Sequence, residues 1–219
     1  MSALTLPLAD PLAVRDLDRL IDRAGRVEDG AVRIQATGLV AAVTVPVLAP
    51  AGLLDRTPTV LGLRAVRLTE PVEVDRVVPR AALATLLGEA VAANAATVTI
   101  PADTVSVAWT GITPPRDGWE DLGVLPAQAV ESVALAGVEE VRTAIPGDAG
   151  AAVLQKVRAE VWGRPASTLL EAPAGAAFAC FGLGFLAKPV TQVRVFRAGP
   201  WLRLGTEWGQ VLCRVRPSD

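Results

Sequence analysis

Helical spacing of apolar residues marks the first element of the chain. Apolar side chains recur every three or four positions behind Asp10, a capping residue type, and Pro11, which suits a first helical turn. Gly25 follows the last of them and is a typical helix-ending residue. The spacing therefore predicts a helix from Pro11 to Gly25 that buries one stripe, formed by Val14, Leu17, Ile21 and Ala24.

Strand-like alternation dominates the rest of the first half. Residues 32–35 and 43–47 alternate apolar and polar side chains around a turn at Thr37-Gly38, which predicts two strands, the second at an edge or bulge because of Pro46. Pro79 opens a predicted helix that closes near Asn94. Three further strands are predicted at residues 59–69, 97–100 and 104–109.

The second half begins after a connector rich in glycine and proline at residues 110–126. Apolar spacing then predicts a helix over residues 130–145 and another that Asp148 caps and Gly163 ends. The uncharged stretch 172–187 is predicted to be a buried core helix that contains Phe181, since it is too short to span a bilayer; a membrane-associated helix is the alternative. A three-stranded meander follows, at about 190–197, 201–206 and 210–216.

Strands that come in runs, rather than alternating singly with helices, indicate an α+β fold. We expect an N-terminal mixed or antiparallel sheet with two helices, and C-terminal helices with a three-stranded β meander. The connector suggests two lobes, residues 1–124 and 125–219, which could also form one compact domain.

Composition removes many functional classes, because the chain contains no histidine and no tyrosine. Histidine is the usual general base, the usual partner of a nucleophilic hydroxyl or thiol, and the commonest metal ligand. The two cysteines, Cys180 and Cys213, lie in apolar surroundings and are too few for a disulfide framework or a four-cysteine metal site. We therefore expect buried free thiols, no catalytic residue that can be named, no metal and no cofactor.

Charge is nearly balanced overall but uneven along the chain. The net charge of −2 predicts no general attraction to nucleic acid or to anionic membranes. The C-terminal 32 residues, however, contain six basic residues against two acidic ones. The excess of arginine over lysine indicates a GC-rich, bacterial coding bias, and the N-terminus resembles no secretion signal, so a cytoplasmic protein without a membrane span is expected.

The meander provides the most specific candidate surface. Period-two alternation places Val193, Val195, Leu202, Leu204, Val211, Cys213 and Val215 on an inner face. The other face would then present arginines interleaved with apolar residues, namely Arg194, Phe196, Trp201, Arg203, Leu212, Arg214 and Arg216. Such a face can bind a partner protein, an anion or a nucleic-acid strand, or it can be an ordinary face or one covered by the N-terminal lobe.

Two other segments have candidate chemistry. The connector collects aromatic and charged residues, among them Trp109, Arg116, Asp117, Trp119, Glu120 and Asp121. It could be a ligand lid with acid and base groups, or a rigid loop whose tryptophans pack on the core. Residues 182–187 fit the dinucleotide fingerprint G-x-G-x-x-A, but no helix is predicted after them, so close packing explains these glycines better.

Three functional hypotheses follow. The first is a non-enzymatic interaction or regulatory protein that binds itself or another protein through the Arg/aromatic sheet face. The second is an anion or single-stranded nucleic-acid binding protein that uses the same face. The third is a small-molecule enzyme with a carboxylate site in the region 103–121.

Overall fold

A computed structural model describes residues 4–28, 30–50, 52, 55–145 and 150–215, and they divide into two units. The first unit comprises Met1–Pro46 and Leu63–Gly111, and the second comprises Val47–Gly62 and Ile112–Asp219. This division differs in two places from the predicted lobes 1–124 and 125–219. The connector after Gly111 belongs to the second unit, and so do residues 47–62.

The first unit is built from helices and mostly antiparallel strands. Its elements are β1 (Thr5–Pro7), α1 (Pro11–Val27), β2 (Ala31–Thr37), β3 (Val40–Leu48), β4 (Thr59–Arg67), β5 (Val74–Pro79), α2 (Arg80–Ala92) and β6 (Thr97–Thr99). The last two residues of β3 and the first four of β4 belong to the second unit, which includes Val47–Gly62. The strand order is β5-β2-β3-β4, and β1 pairs separately with β6. Ile34 of β2 faces Val43 of β3 and Arg76 of β5, which fixes the antiparallel register.

Helix α1 forms as predicted at its start and runs further at its end. The Asp10 side chain accepts a hydrogen bond from the backbone N–H of Ala13 at 2.8 Å, and the predicted apolar stripe is buried. The helix passes Gly25 because Val27 extends the buried stripe by one more turn. Gly25 serves close packing instead, since a Cβ there would lie 2.7 Å from the guanidinium carbon of Arg80.

The predicted strand at residues 104–109 does not form. Only Val105 donates a backbone hydrogen bond, to the carbonyl of Val77 at 2.9 Å, and a short 3-10 helix, Ala108–Gly111, follows. Strand β5, in contrast, is not among the predicted strands, because Pro79 at its end is assigned only to the start of a helix. After residue 58 the first unit has three strands, as predicted, but one of them lies at Val74–Pro79 and not at 104–109.

The second unit packs three helices on one face of an antiparallel sheet. Its further elements are β7 (Glu120–Pro126), α3 (Ala127–Ala144), α4 (Ala151–Gly163), α5 (Ala174–Gly182), β8 (Gln192–Ala198), β9 (Trp201–Gly205) and β10 (Gln210–Arg214). The strand order is β4-β10-β9-β8-β7. The meander β8-β9-β10 and the α+β class are confirmed, whereas β7 replaces the latter part of the predicted irregular connector.

Small residues set the packing of the three helices. A Cβ on Gly137 of α3 would lie 2.2 Å from the Trp162 ring of α4, and the same ring stacks on Phe178 of α5 with centroids 4.4 Å apart. Helix α5 is shorter than the predicted 172–187, and Phe181 is 37% exposed rather than buried. The proposed cap Asp148 lies outside the described residues.

Helix α5 ends at Gly182, where the dinucleotide fingerprint begins. Turns follow it, and the next regular element is strand β8. A pyrophosphate site of that kind needs a helix after the glycines, so the segment lacks the required geometry. No helix in the described ranges is both long and apolar enough to cross a membrane.

Candidate interaction surface

The inner face of the meander is buried as its alternation predicts. Six of the seven predicted inner residues are almost inaccessible, and Val215, beyond the end of β10, is half-buried. Cys180 of α5 and Cys213 of β10 are free thiols inside this core. Because three helices cover this face, any sheet chemistry has to use the opposite one.

On that opposite face the register brings Phe196 of β8 directly beside Arg203 of β9. The guanidinium carbon of Arg203 lies 4.4 Å from the centre of the Phe196 ring and 4.5 Å from the centre of the Trp119 ring. The cation is therefore held by two aromatic rings, each contact contributing about 0.5–1 kcal/mol at an exposed site.

An ion pair adjoins these rings. Arg194 of β8 donates a 2.5 Å hydrogen bond to Asp121 of β7, and its guanidinium carbon lies 5.2 Å from the Phe196 ring centre. Asp121 faces Phe196 in the register. We call these five residues the Arg203 cluster: Trp119, Asp121, Arg194, Phe196 and Arg203.

A β-bulge fixes Asp121. The register of β7 against β8 shifts between Asp121 and Gly123, and the Asp121 carboxylate accepts the backbone N–H of Gly123 at 2.9 Å. Gly123 has φ of +116°, which a residue with a side chain would adopt only under strain. The hydrogen bond from Gly123, followed by the one from Arg194, lowers the pKa of Asp121, so this carboxyl stays ionised near neutral pH.

A closed loop delivers Trp119 to the cluster. The indole N–H of Trp119 donates to the carbonyl of Pro115 at 3.1 Å, and Gly118 between them has φ of +72°. The loop 115–119 is thus closed by the residue that stacks on Arg203. Arg116 and Asp117 lie exposed within the loop.

Arg203 lacks a conventional partner. Across the described residues, no oxygen accepts a hydrogen bond from its guanidinium and no carboxylate forms an ion pair with it. Burial alone lowers the pKa of Arg203, which means that the charge is partly desolvated without a compensating anion. Five N–H donors are therefore available at this position.

Not every residue predicted for the face joins the cluster. Trp201 lies on the same face but is only 4% exposed, so it is a buried residue and not an accessible contact as expected. Arg214 is half-buried, and its Nε atom has no hydrogen-bond partner in the described part of the chain. Arg216 lies outside the described residues.

The predicted loop site is divided. Trp109 lies in the 3-10 helix Ala108–Gly111 of the first unit, whereas Arg116, Asp117, Trp119 and Glu120 belong to the second unit. Of these, only Trp119 contacts the sheet face through its ring. The sequence reading placed Trp119 and Arg203 in two separate candidate sites. The Asp-x-Gly sequence at 121–123 is compatible with a β-bulge, and this local signal could have indicated strand β7, which connects the loop of Trp119 to the sheet.

The catalytic alternative gains little support from this arrangement. Asp121 is committed to an ion pair with a lowered pKa, which is the opposite of what a general acid needs. A hollow of about 460 Å³ lies on α3, and its two carboxylates, Glu139 and Glu140, pair with Arg142 and Arg164. In the ranges that the structure describes, no three potential metal ligands come together.

Two family models together cover nearly the whole chain. Residues 1–111 match the family described as Domain of unknown function (DUF8010), which is half of the chain. The chain belongs to the DUF8010 family. Residues 114–218 of this DUF8010 protein match a second model, described as Domain of unknown function (DUF8185). The boundary between the two models falls where the structure divides its units. A search of curated proteins found no match.

Solved structures give the fold of this DUF8010 protein. The DNA polymerase III subunit beta from Pseudomonas aeruginosa is similar over 100% of this chain and 66% of its own, with a TM-score of 0.50 and 10% identity. The likeness to the DNA polymerase sliding clamp from Pseudomonas aeruginosa covers 94% of this chain and 63% of that protein, with a TM-score of 0.49 and 11% identity. The chain thus spans less than two thirds of the length of these two proteins. The first likeness shows the fold alone, an α+β fold similar to that of the DNA polymerase III subunit beta.

Proposed function

We propose that this DUF8010-family chain is a protein-interaction scaffold that associates with itself through the Arg203 cluster. The observation that carries the proposal is the state of Arg203, a cation within 4.5 Å of the ring centres of Trp119 and Phe196 and without any acceptor in the described residues. Arginine and tryptophan are enriched among the residues that dominate binding energy in protein interfaces. A partner that covers the cluster would bury the two rings and supply the missing acceptors.

The charge balance of the surface favours a second copy as the partner. The cluster and its adjoining loop contain three arginines and two carboxylates, namely Arg116, Arg194, Arg203, Asp117 and Asp121. A two-fold interface places the same patch on both subunits, so the patch must complement itself. A patch that contains both signs of charge meets that condition.

The same balance argues against a nucleic-acid strand as the main ligand. Binding to a phosphate backbone depends on an excess of basic residues that releases counterions. Arg194 is already neutralised by Asp121, and the loop 115–119 adds the carboxylate of Asp117. The clamp-like likeness concerns the fold alone and does not change this assignment.

The proposal includes the cytoplasm as the place of action. Cys180 is close enough to Cys213 to influence its pKa, yet both remain free thiols. Neighbouring thiols that stay reduced fit a reducing compartment.

Sedimentation velocity over a wide concentration range tests self-association directly. The wild type should gain mass with concentration, and Arg203→Ser or Phe196→Ser should raise the dissociation constant by about tenfold or more, as for central interface residues. Arg197→Ser is the matched control, because Arg197 is an exposed arginine on the same strand outside the cluster.

Two results would contradict the proposal. One is a wild type that stays monomeric at every concentration. The other is a cluster variant that remains folded and associates as tightly as the Arg197→Ser control. Binding of a labelled single-stranded oligonucleotide that falls steeply with salt and is lost in Arg203→Ser would instead assign the surface to nucleic acid.

A further inference from the structure

We infer that Asp117 of a second copy pairs with Arg203, so that two equivalent ion pairs join the self-associated form. This inference rests on the proposed function and names the contact within it. The patch that holds Arg203 must also hold its acceptor, because in a two-fold interface residue i meets residue j and residue j meets residue i. The acceptor is therefore sought among the carboxylates next to the cluster.

Three carboxylates qualify by position, and two are unsuitable. Asp121 is already engaged by Arg194 and by the backbone N–H of Gly123. Glu120 precedes it on strand β7, so alternation places Glu120 on the opposite face of the sheet, across from Arg197. Asp117 is the remaining carboxylate.

Asp117 is available for such a contact. It is exposed, and it forms no hydrogen bond or ion pair with the described residues. In particular it does not pair with Arg203 of its own chain, although Trp119, two residues later, lies over that guanidinium. An anion and a cation that are both unpaired in the described part of the chain thus lie on one surface, and each is available to a partner from outside the chain.

The loop presents Asp117 in a defined position. The hydrogen bond from the Trp119 indole to the Pro115 carbonyl closes the loop, and the left-handed backbone at Gly118 turns the chain between Asp117 and Trp119. The Trp119 ring in turn is held against Arg203. Because the loop is ordered before binding, little conformational entropy remains to be lost at the interface.

The guanidinium geometry suits a carboxylate. The Arg203 guanidinium carbon lies over the rings of Trp119 and Phe196, and its N–H donors have no acceptor among the described residues, so they are available to a carboxylate. The partial burial that lowers the pKa of Arg203 strengthens attraction to an anion, since screening by water is reduced. Each copy would supply one such cation and one such anion.

Charge reversal in the full chain tests the pairing. Arg203→Glu and Asp117→Arg should each raise the dissociation constant measured by sedimentation velocity about tenfold or more, because each brings like charges together. The double variant Arg203→Glu/Asp117→Arg restores the pair in reverse and should associate within about threefold of the wild type. Asp103→Arg is the matched control, as Asp103 is exposed in the first unit and should have no effect.

The outcomes separate this inference from the proposed function. If the wild type associates but Asp117→Arg behaves like Asp103→Arg, the pairing is wrong and self-association stands. If both single variants weaken association but the double variant, folded by circular dichroism, does not recover, the pairing is also wrong. Recovery in Arg203→Glu/Glu120→Arg instead would assign the contact to Glu120. A wild type that never associates removes both proposals.

Discussion

Trp201 and Arg203 lie two residues apart on strand β9 and on the same face of the sheet, yet their environments differ sharply. Trp201 is 4% exposed, whereas Arg203 is half-buried with its guanidinium in contact with the rings of Trp119 and Phe196. Alternation along a strand assigns both residues to one face. It does not tell which part of that face is accessible.

This difference predicts that substitutions at the two positions lower the stability by different amounts. Trp201→Ser should lower the free energy of unfolding by about 3–5 kcal/mol, because a large buried ring is lost and a cavity remains. Arg203→Ser should lower it by about 1–2 kcal/mol, since it removes two cation–π contacts of about 0.5–1 kcal/mol each. Urea denaturation of the two single variants measures both values. Equal losses in the two would show that the cluster is structural and would weaken its assignment as an interface.

Gly137 should tolerate no side chain. Its Cβ position lies 2.2 Å from the Trp162 ring, so Gly137→Ala should destabilise the protein by about 1–3 kcal/mol through overpacking. Gly88 in α2 is the matched control, because a Cβ there meets nothing within 4 Å and Gly88→Ala should stabilise by about 0.5–1 kcal/mol through helix propensity. Thermal melts of the two variants should therefore shift in opposite directions. A neutral Gly137→Ala would mean that Trp162 moves freely.

Local signals explain where the sequence prediction succeeded. The start of α1 follows from Asp10 and a buried stripe, and the meander follows from period-two alternation with one apolar face. Strand β7 was missed because the bulge at Gly123 breaks that period. The segment 104–109 has strand-like residues, but strand formation depends on a pairing partner, and only Val105 bonds to a neighbour.

Alternation along the strands also predicts part of the candidate site. Arg194, Phe196 and Arg203 share one face because of alternation alone, so the sequence could bring them together. The contact with Trp119 depends on the strand order, in which β7 lies next to β8. Strand order arises from long-range pairing, which no local pattern in the chain specifies. That is why Trp119 and Arg203 were predicted in two separate sites although their side chains are in contact.

The protein should respond differently to a carboxylate introduced at Phe181 and at Ala177 of α5. Phe181 is 37% exposed, so Phe181→Asp should leave the protein folded with a loss of about 1–2 kcal/mol from its partial burial, contrary to the expectation from the uncharged stretch 172–187. Ala177 lies one turn away on the same helix and is fully buried, so Ala177→Asp should abolish the native fold through an unpaired buried carboxylate. Near-ultraviolet circular dichroism distinguishes the two. An unfolded Phe181→Asp would place Phe181 in the core after all.

Alkaline pH should destabilise the protein through its two thiols. Burial raises the pKa of Cys180 from 9.0 to about 12, and burial with the neighbouring Cys180 raises the pKa of Cys213 well above 9.0. Above pH 9 the unfolded chain releases both thiol protons while the folded chain retains them. The contribution of the two thiols to stability is therefore fully present below pH 9. Above pH 9 the free energy of unfolding should fall by about 1.4 kcal/mol per pH unit per thiol, up to the folded pKa values.

The composition makes this titration unusually easy to isolate. The chain has no tyrosine and only two lysines, Lys156 and Lys188, so few other groups titrate between pH 9 and 11. Urea denaturation at pH 8, 9, 10 and 10.5, for example, should show a decline that becomes nearly flat in Cys180→Ala/Cys213→Ala. The slopes are compared rather than the absolute stabilities, because the double variant also loses packing. Equal slopes in the wild type and the double variant would mean that the thiols are open to solvent and ionise in the folded state.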